Sequence, residues 1–462
     1  MNNDLYKIDD IANMSKDEIF GNYKNYVNPG LASLISLMSM DRDYVKAKGI
    51  FVWDKDGHRY MDFLGGYGSL NLGHNPPEVI EEMEKIKEMP NILKTSLSKL
   101  SGALAHNLAK ITPGTLKNTF FCNSGAEAVE GALKTARIST GKTGLISCEG
   151  SFHGKTLGAL SVTGRTKYQE PFKPLIPECS LVPFGDLDLL EKELAKGDIA
   201  AFIVEPIQGE GGVIVPPNGY LKGARELCTK YGALLIVDEI QTGLGRTGYM
   251  FACEHEEVEP DIMCLAKSLG GGVMPIGAFI TTPEVWNKAY GSTDKCLLHT
   301  STFGENTWAL AAGISAINAI LELNLSKKSR DMGDYFIDKL NDLKEKYKII
   351  KEVRGEGLLI GIEFEQPAKG ILDKISQGAL NKFASEYTGA MIAGELLNTY
   401  RIITAYTLNN PNVIRLEPPL IVNKEQIDYV ISSLDEIFRK HKGFLGITLK
   451  SARTALGSIF GR

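Results

Sequence analysis

The chain has no C-x-x-C pair, although it holds seven cysteines, scattered at Cys122, Cys148, Cys179, Cys228, Cys253, Cys264 and Cys296. An odd number without paired spacing argues against a disulfide framework or a cysteine zinc site, and fits reduced thiols in a cytoplasmic protein. The seven histidines show no metal-ligand spacing either, so no metal is expected. No apolar run reaches the roughly 18 residues that would span a bilayer. The start, MNNDLYKIDDIANMSKDEIF, lacks the basic and apolar layout of a signal or transit peptide. Charge of one sign is also scarce: the formal net charge is −5 over 462 residues, which gives no field that would gather nucleic acid. The remaining composition, 43% hydrophobic and 23% charged, is that of a globular protein with a large core.

Between about Lys117 and Phe303, short apolar runs alternate with helical patterns. NTFFC, GLISC, AAFIVE, ALLIVD, IMCLA and IGAFIT are strand candidates with little polar alternation, as expected of strands buried on both faces. AEAVEGALKTARIST, DLDLLEKELAKG and YLKGARELCTKYG lie between them, and Ala126, Val129, Leu133 and Ala136 fall on one helical face. The pattern predicts an α/β domain with a mostly parallel sheet. GIFVWDKDGHRYMDFLGGYGSLNLGH, with its turn signal at Asp56-Gly57, predicts a hairpin. LLIGIEF, NVIRLEP and KEQIDYVISSLDEIFRK predict a smaller α+β domain. The expected divisions are an N-terminal segment and hairpin over 1–75 that contributes to the small domain, the large domain over 76–345, the C-terminal small domain over 346–442, and an amphipathic tail over 443–462. In the tail Leu445, Leu449, Ala452, Leu456 and Ile459 share a helical face beside Lys450 and Arg453. Such a segment more often packs on its own protein than lies on a membrane.

LLIVDEIQTGLGRTG carries Gly243, Gly245 and Gly248 in G-x-G-x-x-G spacing after an apolar run. A dinucleotide site would need a helix to open there and an acidic residue about 20 positions on. Pro260 and a cluster of Glu residues follow instead, and Arg246 sits inside the motif. Asp238 is a carboxylate that ends five apolar residues and needs a cation or donor to offset its desolvation, either as a chemical group or as a structural acid bonded to backbone. Asn123-Ser124-Gly125 join a strand to a helix, a turn that either caps the helix or seats a phosphate. Lys267 ends DIMCLAK ahead of a glycine-rich loop, where burial would lower its pKa and make the amine nucleophilic. Phe152 and His153 lie in a turn beside another strand end, where an aromatic face can cover a flat ring. A phosphate seat, a buried acid, a nucleophilic lysine and a stacking aromatic together suit pyridoxal phosphate.

NSGAEAVEGALK, SFHGKTLGALSVTG, VEPIQGEGGVIVPPNGYL, IVDEIQTGLGRTG, LAKSLGGGVMPIGA and HTSTFGENT resemble, in order and spacing, the class III (ω-) aminotransferases of fold type I, over roughly Asn25 to Lys440. Within that class, VNPG, FFCNSG, FACEHEEVEPDIMCLAKSLGGGVMPIGA and VIRLEPPL look most like putrescine aminotransferases. The resemblance implies a fold type I pyridoxal-phosphate transferase, with a mostly parallel central sheet in its large domain and a smaller α+β domain. It implies that Lys267 joins the cofactor aldehyde and moves the proton, and that Asp238 pairs with the ring nitrogen. Gln241 would meet the phenolic oxygen, and Phe152 would stack on the ring, with His153 and Glu205 also at the cofactor. Ser124, Gly125 and Ala126 would hold the phosphate, and Thr302 would reach the phosphate of a neighbouring subunit, which implies a homodimer with shared sites. Arg415 matches the arginine that grips a substrate carboxylate, Glu210 the glutamate that pairs with it otherwise, and Tyr67 a pocket wall.

The implied reaction moves the amino group of putrescine, or of cadaverine, to 2-oxoglutarate. From putrescine it gives glutamate and 4-aminobutanal, which cyclises to 1-pyrroline. Ornithine, acetylornithine, 4-aminobutyrate or another ω-amine as donor, or an aminomutase reaction, are alternatives on the same fold. An NAD oxidoreductase and a non-catalytic interaction protein are the alternatives of a different class. One departure stands out: the family usually reads GGNP where this chain has Gly304-Glu305-Asn306-Thr307. Glu305 would lie near the partner's cofactor entrance, either favouring a cationic amine or facing solvent.

Overall fold

The computed structural model describes residues 5–38, 40–365 and 379–440. The amphipathic tail expected at 443–462 lies outside the described residues. The strands are β1 (Tyr44–Lys48), β2 (Phe51–Asp54), β3 (Arg59–Asp62), β4 (Asn118–Cys122), β5 (Gly144–Cys148), β6 (Cys179–Val182), β7 (Ile199–Val204) and β8 (Leu234–Asp238). They continue with β9 (Ile262–Leu265), β10 (Gly277–Thr281), β11 (Ile350–Glu356), β12 (Leu359–Phe364), β13 (Ile402–Ile403), β14 (Ala405–Tyr406) and β15 (Val413–Leu416). They form three sheets, of which the largest has seven strands in the order β4-β10-β9-β8-β7-β5-β6.

In that sheet β9, β8, β7, β5 and β6 run parallel, and β10 runs against both of its neighbours. Every residue of β5, β7, β9 and β10 is buried, which explains why their sequences lack polar alternation. The sequence reading did not foresee β6. It lies at the sheet edge and is only partly covered, so its residues are less uniformly apolar than those of the central strands.

The helix Gly125–Thr140 lies against the sheet through buried Ala128, Val129, Ala132, Leu133 and Ala136. The Ser124 hydroxyl caps its start by accepting from the Glu127 N–H at 3.2 Å, and left-handed Gly141 ends it. Gly277 opens β10 opposite Cys122, and a Cβ there would overlap the Ser124 carbonyl oxygen. Gly277→Ala is therefore expected to displace the Ser124-Gly125 turn and destabilise the fold by about 1–3 kcal/mol. Thermal unfolding of the protein, with a parallel measurement of cofactor affinity, checks this.

The hairpin of β2 and β3 forms as its turn signal predicts, with β1 antiparallel beside β2. It brings Asp54, Asp56 and His58 close together, but the Asp54 carboxylate already accepts from the His58 N–H and the Tyr60 hydroxyl, each at 2.8 Å. From the other end of the chain, β13 pairs in parallel with β3, Ile402 opposite Met61. The third sheet, β11-β12-β15-β14, carries Arg415 on β15. The helix Lys424–Lys440 covers part of the core through buried Ile427, Val430, Leu434, Ile437 and Phe438. All seven cysteines are free; Cys296 is exposed, Cys179 is partly exposed and the rest are buried.

Candidate active site

Five strands of the central sheet, β4, β5, β7, β8 and β9, end around one cavity of about 570 Å³. Ligands bind at this place in open α/β sheets because the strand ends and the helix N-termini that follow them converge there. After β4, Ser124, Gly125 and Ala126 line the cavity at the N-terminus of the helix Gly125–Thr140. The first helical N–H groups have no intrahelical acceptor, so they and the positive end of the helix dipole suit an anion.

After β5 come Phe152 and His153, and after β7 comes Glu205, all three on the cavity wall. The Phe152 N–H donates to Glu205 Oε2 at 3.0 Å, and the Gly209 N–H to Oε1 at 3.2 Å. Burial pushes the Glu205 carboxyl up to about 7, with His153 opposing and Asp238 adding to the rise. Asp238 ends β8. Its Oδ2 lies 2.7 Å from His153 Nδ1, and its Oδ1 accepts from the Ile240 N–H at 3.1 Å. A carboxylate on Nδ1 assigns the ring proton to that nitrogen. His153 Nε2 is buried without a hydrogen-bond partner among the described residues.

Lys267 follows β9 by two residues and stands at φ +47, in the left-handed region. Its side chain keeps part of its surface open to the cavity, and among the described residues Nζ makes no hydrogen bond. Burial lowers its proton affinity; Glu417, Glu210 and Asp238 oppose this, and Arg415 adds to it. Gln241 also lines the cavity, and its Nε2 donates to both oxygens of Glu417, at 2.9 and 3.0 Å.

Arg415, Glu210 and Tyr67 form a second cluster. Arg415 is fully buried, and its Nη2 donates to Glu210 Oε2 at 2.5 Å. Burial pushes the Glu210 carboxyl up, but the Arg415 guanidinium, together with the Leu408 N–H and Lys267, more than reverses this and holds it below its ordinary value. Glu210 also accepts from the Leu408 N–H at 2.9 Å. The Tyr67 ring lies 5.2 Å from Arg415 Cζ.

Thr302 is exposed and stands apart from the cavity within this chain. Glu305 is exposed as well, with Oε2 3.2 Å from Lys94 Nζ and Oε1 accepting from the Ser101 hydroxyl at 3.2 Å. The glycines of GLGRTG do not open onto a ligand. Arg246 fills the space, fully buried, donating to the Leu358 carbonyl at 3.0 Å, the Pro418 carbonyl at 2.6 Å and Asn71 Oδ1 at 2.5 Å.

Glu417, fully buried beside both clusters, escaped the sequence reading. One signal was available: two residues after Arg415 at the end of a strand, Glu417 falls on the arginine's face of the sheet.

The cavity fits pyridoxal phosphate. It offers helix N–H groups for the phosphate, a carboxylate backed by His153 for the ring nitrogen, an aromatic side chain for the ring face, and a desolvated amine without a hydrogen-bond partner for the aldehyde.

Comparison with known proteins agrees. The family model for class-III aminotransferases matches residues 36–438. Aminotransferase PigE of Serratia sp. (strain ATCC 39006) is 37% identical over 463 residues, covering 93% of this chain and 54% of that protein. The chain thus spans about half the length of that curated relative. The crystal structure of the ornithine aminotransferase from Toxoplasma gondii is 32% identical, with a TM-score of 0.81 over 93% of this chain and 97% of that one. A PLP-bound amine transaminase from an uncultivated Pseudomonas species is 27% identical, with a TM-score of 0.77 over 86% of this chain and 94% of that one. The protein described by this fold and this cavity belongs to the class-III aminotransferases, pyridoxal-phosphate-dependent transferases of fold type I that generally act as dimers on small molecules.

Proposed function

We propose that the protein transfers the amino group of a terminal diamine, putrescine or cadaverine, to 2-oxoglutarate, releasing an amino aldehyde and glutamate. The aldehyde from putrescine, 4-aminobutanal, would cyclise to 1-pyrroline. The observation that carries this reading is the buried pair of Arg415 and Glu210 at 2.5 Å. With the guanidinium already neutralised, a donor without a carboxylate can enter without stranding a buried charge. When 2-oxoglutarate follows, Glu210 would release Arg415 to a ligand carboxylate, a bidentate task that suits arginine.

Pyridoxal phosphate, when bound, supplies the electron sink for negative charge at the amine-bearing carbon. The N–H groups of Gly125 and Ala126 would bind its phosphate, and Phe152 would cover one face of the ring. Asp238, held by His153 and the Ile240 N–H, would keep a proton on the ring nitrogen. Lys267 Nζ, its proton affinity lowered by burial, would take the proton from the donor carbon and pass it on. Thr302 would act in the site of a second copy in a homodimer.

Ornithine is the second reading, favoured by the similarity to the Toxoplasma gondii ornithine aminotransferase. Reacting at its terminal amine, such a donor would leave the Arg415–Glu210 pair closed as a diamine does and would carry its carboxylate to the far end of the pocket. Single-turnover measurements with putrescine, cadaverine, ornithine and 4-aminobutyrate decide between them.

The same measurements test the switch. Glu210→Ala is expected to slow the diamine half-reaction and largely spare the 2-oxoglutarate one, and Arg415→Lys to do the reverse. Loss of a charge-assisted hydrogen bond costs about 1.5–3 kcal/mol, or roughly ten- to hundredfold in the affected step. Equal slowing of both steps by both variants would rule the switch out.

A further inference from the structure

Arg415 faces a second carboxylate. Glu417 Oε2 lies 3.9 Å from Arg415 Nη1, the terminal nitrogen that Glu210, at Nη2, does not take. That separation is too long for a hydrogen bond, so Glu417 acts on the arginine by charge and leaves its donors free. Arg415 Nε and Nη1 are buried and have no hydrogen-bond partner among the described residues. The arginine therefore retains capacity for a ligand oxygen.

Glu210 and Glu417 differ in how firmly they are held. Both Glu417 oxygens accept from Gln241 Nε2, and the Glu417 N–H donates to the Phe63 carbonyl at 2.8 Å. The next residue is pinned as well, its carbonyl accepting from Arg246 at 2.6 Å. The turn over Glu417 is built to admit it: Gly68 stands at φ +82, and a Cβ there would lie 2.6 Å from Glu417 Oε1. The Glu417 carboxylate is thus held by Gln241 and closely covered at Gly68, on a backbone pinned at both residues, while the Glu210 carboxylate is held by Arg415 itself and the Leu408 N–H. The charge of Glu417 also leads those that oppose the effect of burial on Lys267.

We propose that Glu417 is a specificity-determining, positioning residue: a fixed second carboxylate beside Arg415 that weakens the arginine's hold on ligand carboxylates and biases the pocket toward amines that carry none. A carboxylate arriving at Arg415 displaces Glu210 but still meets the like charge of Glu417. A diamine brings no anion to that place and meets no such repulsion. The inference deepens the diamine reading and rests on it for the identity of the donor, but not for the effect on anions.

The test uses the cofactor-loaded, full-length protein and glutarate, a dicarboxylate with the carbon chain of 2-oxoglutarate and no keto group to react. Glu417→Gln keeps the side chain's size and removes its charge. Calorimetry is expected to show glutarate binding about tenfold tighter to the variant than to the parent. Arg415→Lys should weaken glutarate binding roughly ten- to hundredfold, which shows that glutarate reads the arginine. In steady state the KM for 2-oxoglutarate should fall, whatever change in kcat follows from removing a charge that acts on Lys267. A merely structural glutamate predicts the opposite, since loosening the site weakens every ligand. Unchanged or weaker glutarate binding in Glu417→Gln overturns the proposal. If Glu417→Gln does not fold, Glu417→Met is measured in its place, and failure of both to fold assigns Glu417 a structural role and also overturns it. The donor panel stands apart from these results. Tighter glutarate binding without turnover of diamines would sink the diamine reading and leave the role of Glu417 intact.

Discussion

Lys267→Ala is expected to lower turnover by roughly 10⁴-fold or more while the protein stays folded, because on the proposed reading one side chain would serve both as the amine that joins the cofactor and as the group that moves the proton. Among the described residues the cavity has no substitute. Lys155 also borders it, but that side chain is exposed, with its ammonium 4.6 Å from the Tyr168 ring. Among the described residues lining the cavity, Lys267 alone combines desolvation with an Nζ free of hydrogen bonds, the two conditions that make an amine nucleophilic. Small primary amines added to Lys267→Ala should restore part of the proton-transfer rate, since the truncation leaves room at the same place. The checks are single-turnover kinetics and circular dichroism. A folded variant that turns over within tenfold of the parent would remove Lys267 from the chemistry.

The second large effect is expected at Asp238. Asp238→Asn keeps the shape and removes the charge. The Asn oxygen can go on accepting from the Ile240 N–H, while its amide would face His153 Nδ1. His153 can adapt by moving its proton to Nε2, the atom now without a partner among the described residues, so the fold should survive. Activity should not. An opposite charge at close range shifts a partner's proton affinity by about 1–3 pK units, so the ring nitrogen would lose its proton more readily and turnover should fall roughly 10- to 1000-fold. The sign sets the pH response: without the counter-charge, the ring nitrogen is protonated only at lower pH, and the remaining activity should peak further to the acid side. Near-normal turnover with an unshifted pH profile would refute the role.

Asp238 and Lys267 were legible in the sequence because each interrupts an apolar run, and only a charge with a task is placed at the end of a buried strand. The strands themselves were legible for the same reason, being apolar on both faces. The bond between His153 and Asp238 was not, because it joins two strand ends that sheet topology alone brings together. Glu417 was hidden differently. A glutamate two residues from an arginine reads as half of a local ion pair, and its burial depends on Gln241 and on the glycine turn near Tyr67, which are far from it in the chain. The near-neutral Glu205 carboxyl likewise depends on enclosure, which a string of residues does not display. Thr302 could be named only from the family resemblance, and within a single chain it stays on the surface.

The left-handed backbone of Lys267 sets the interests of the fold against those of the reaction. That conformation costs a residue with a Cβ about 1–2 kcal/mol and costs glycine almost nothing. At position 267 the most heat-tolerant side chain and the one proposed to do the chemistry are therefore different residues. Selection for robustness alone would drift toward glycine there and leave a sturdier protein with no chemistry, so a thermal screen of variants at this position would rank the inert ones first.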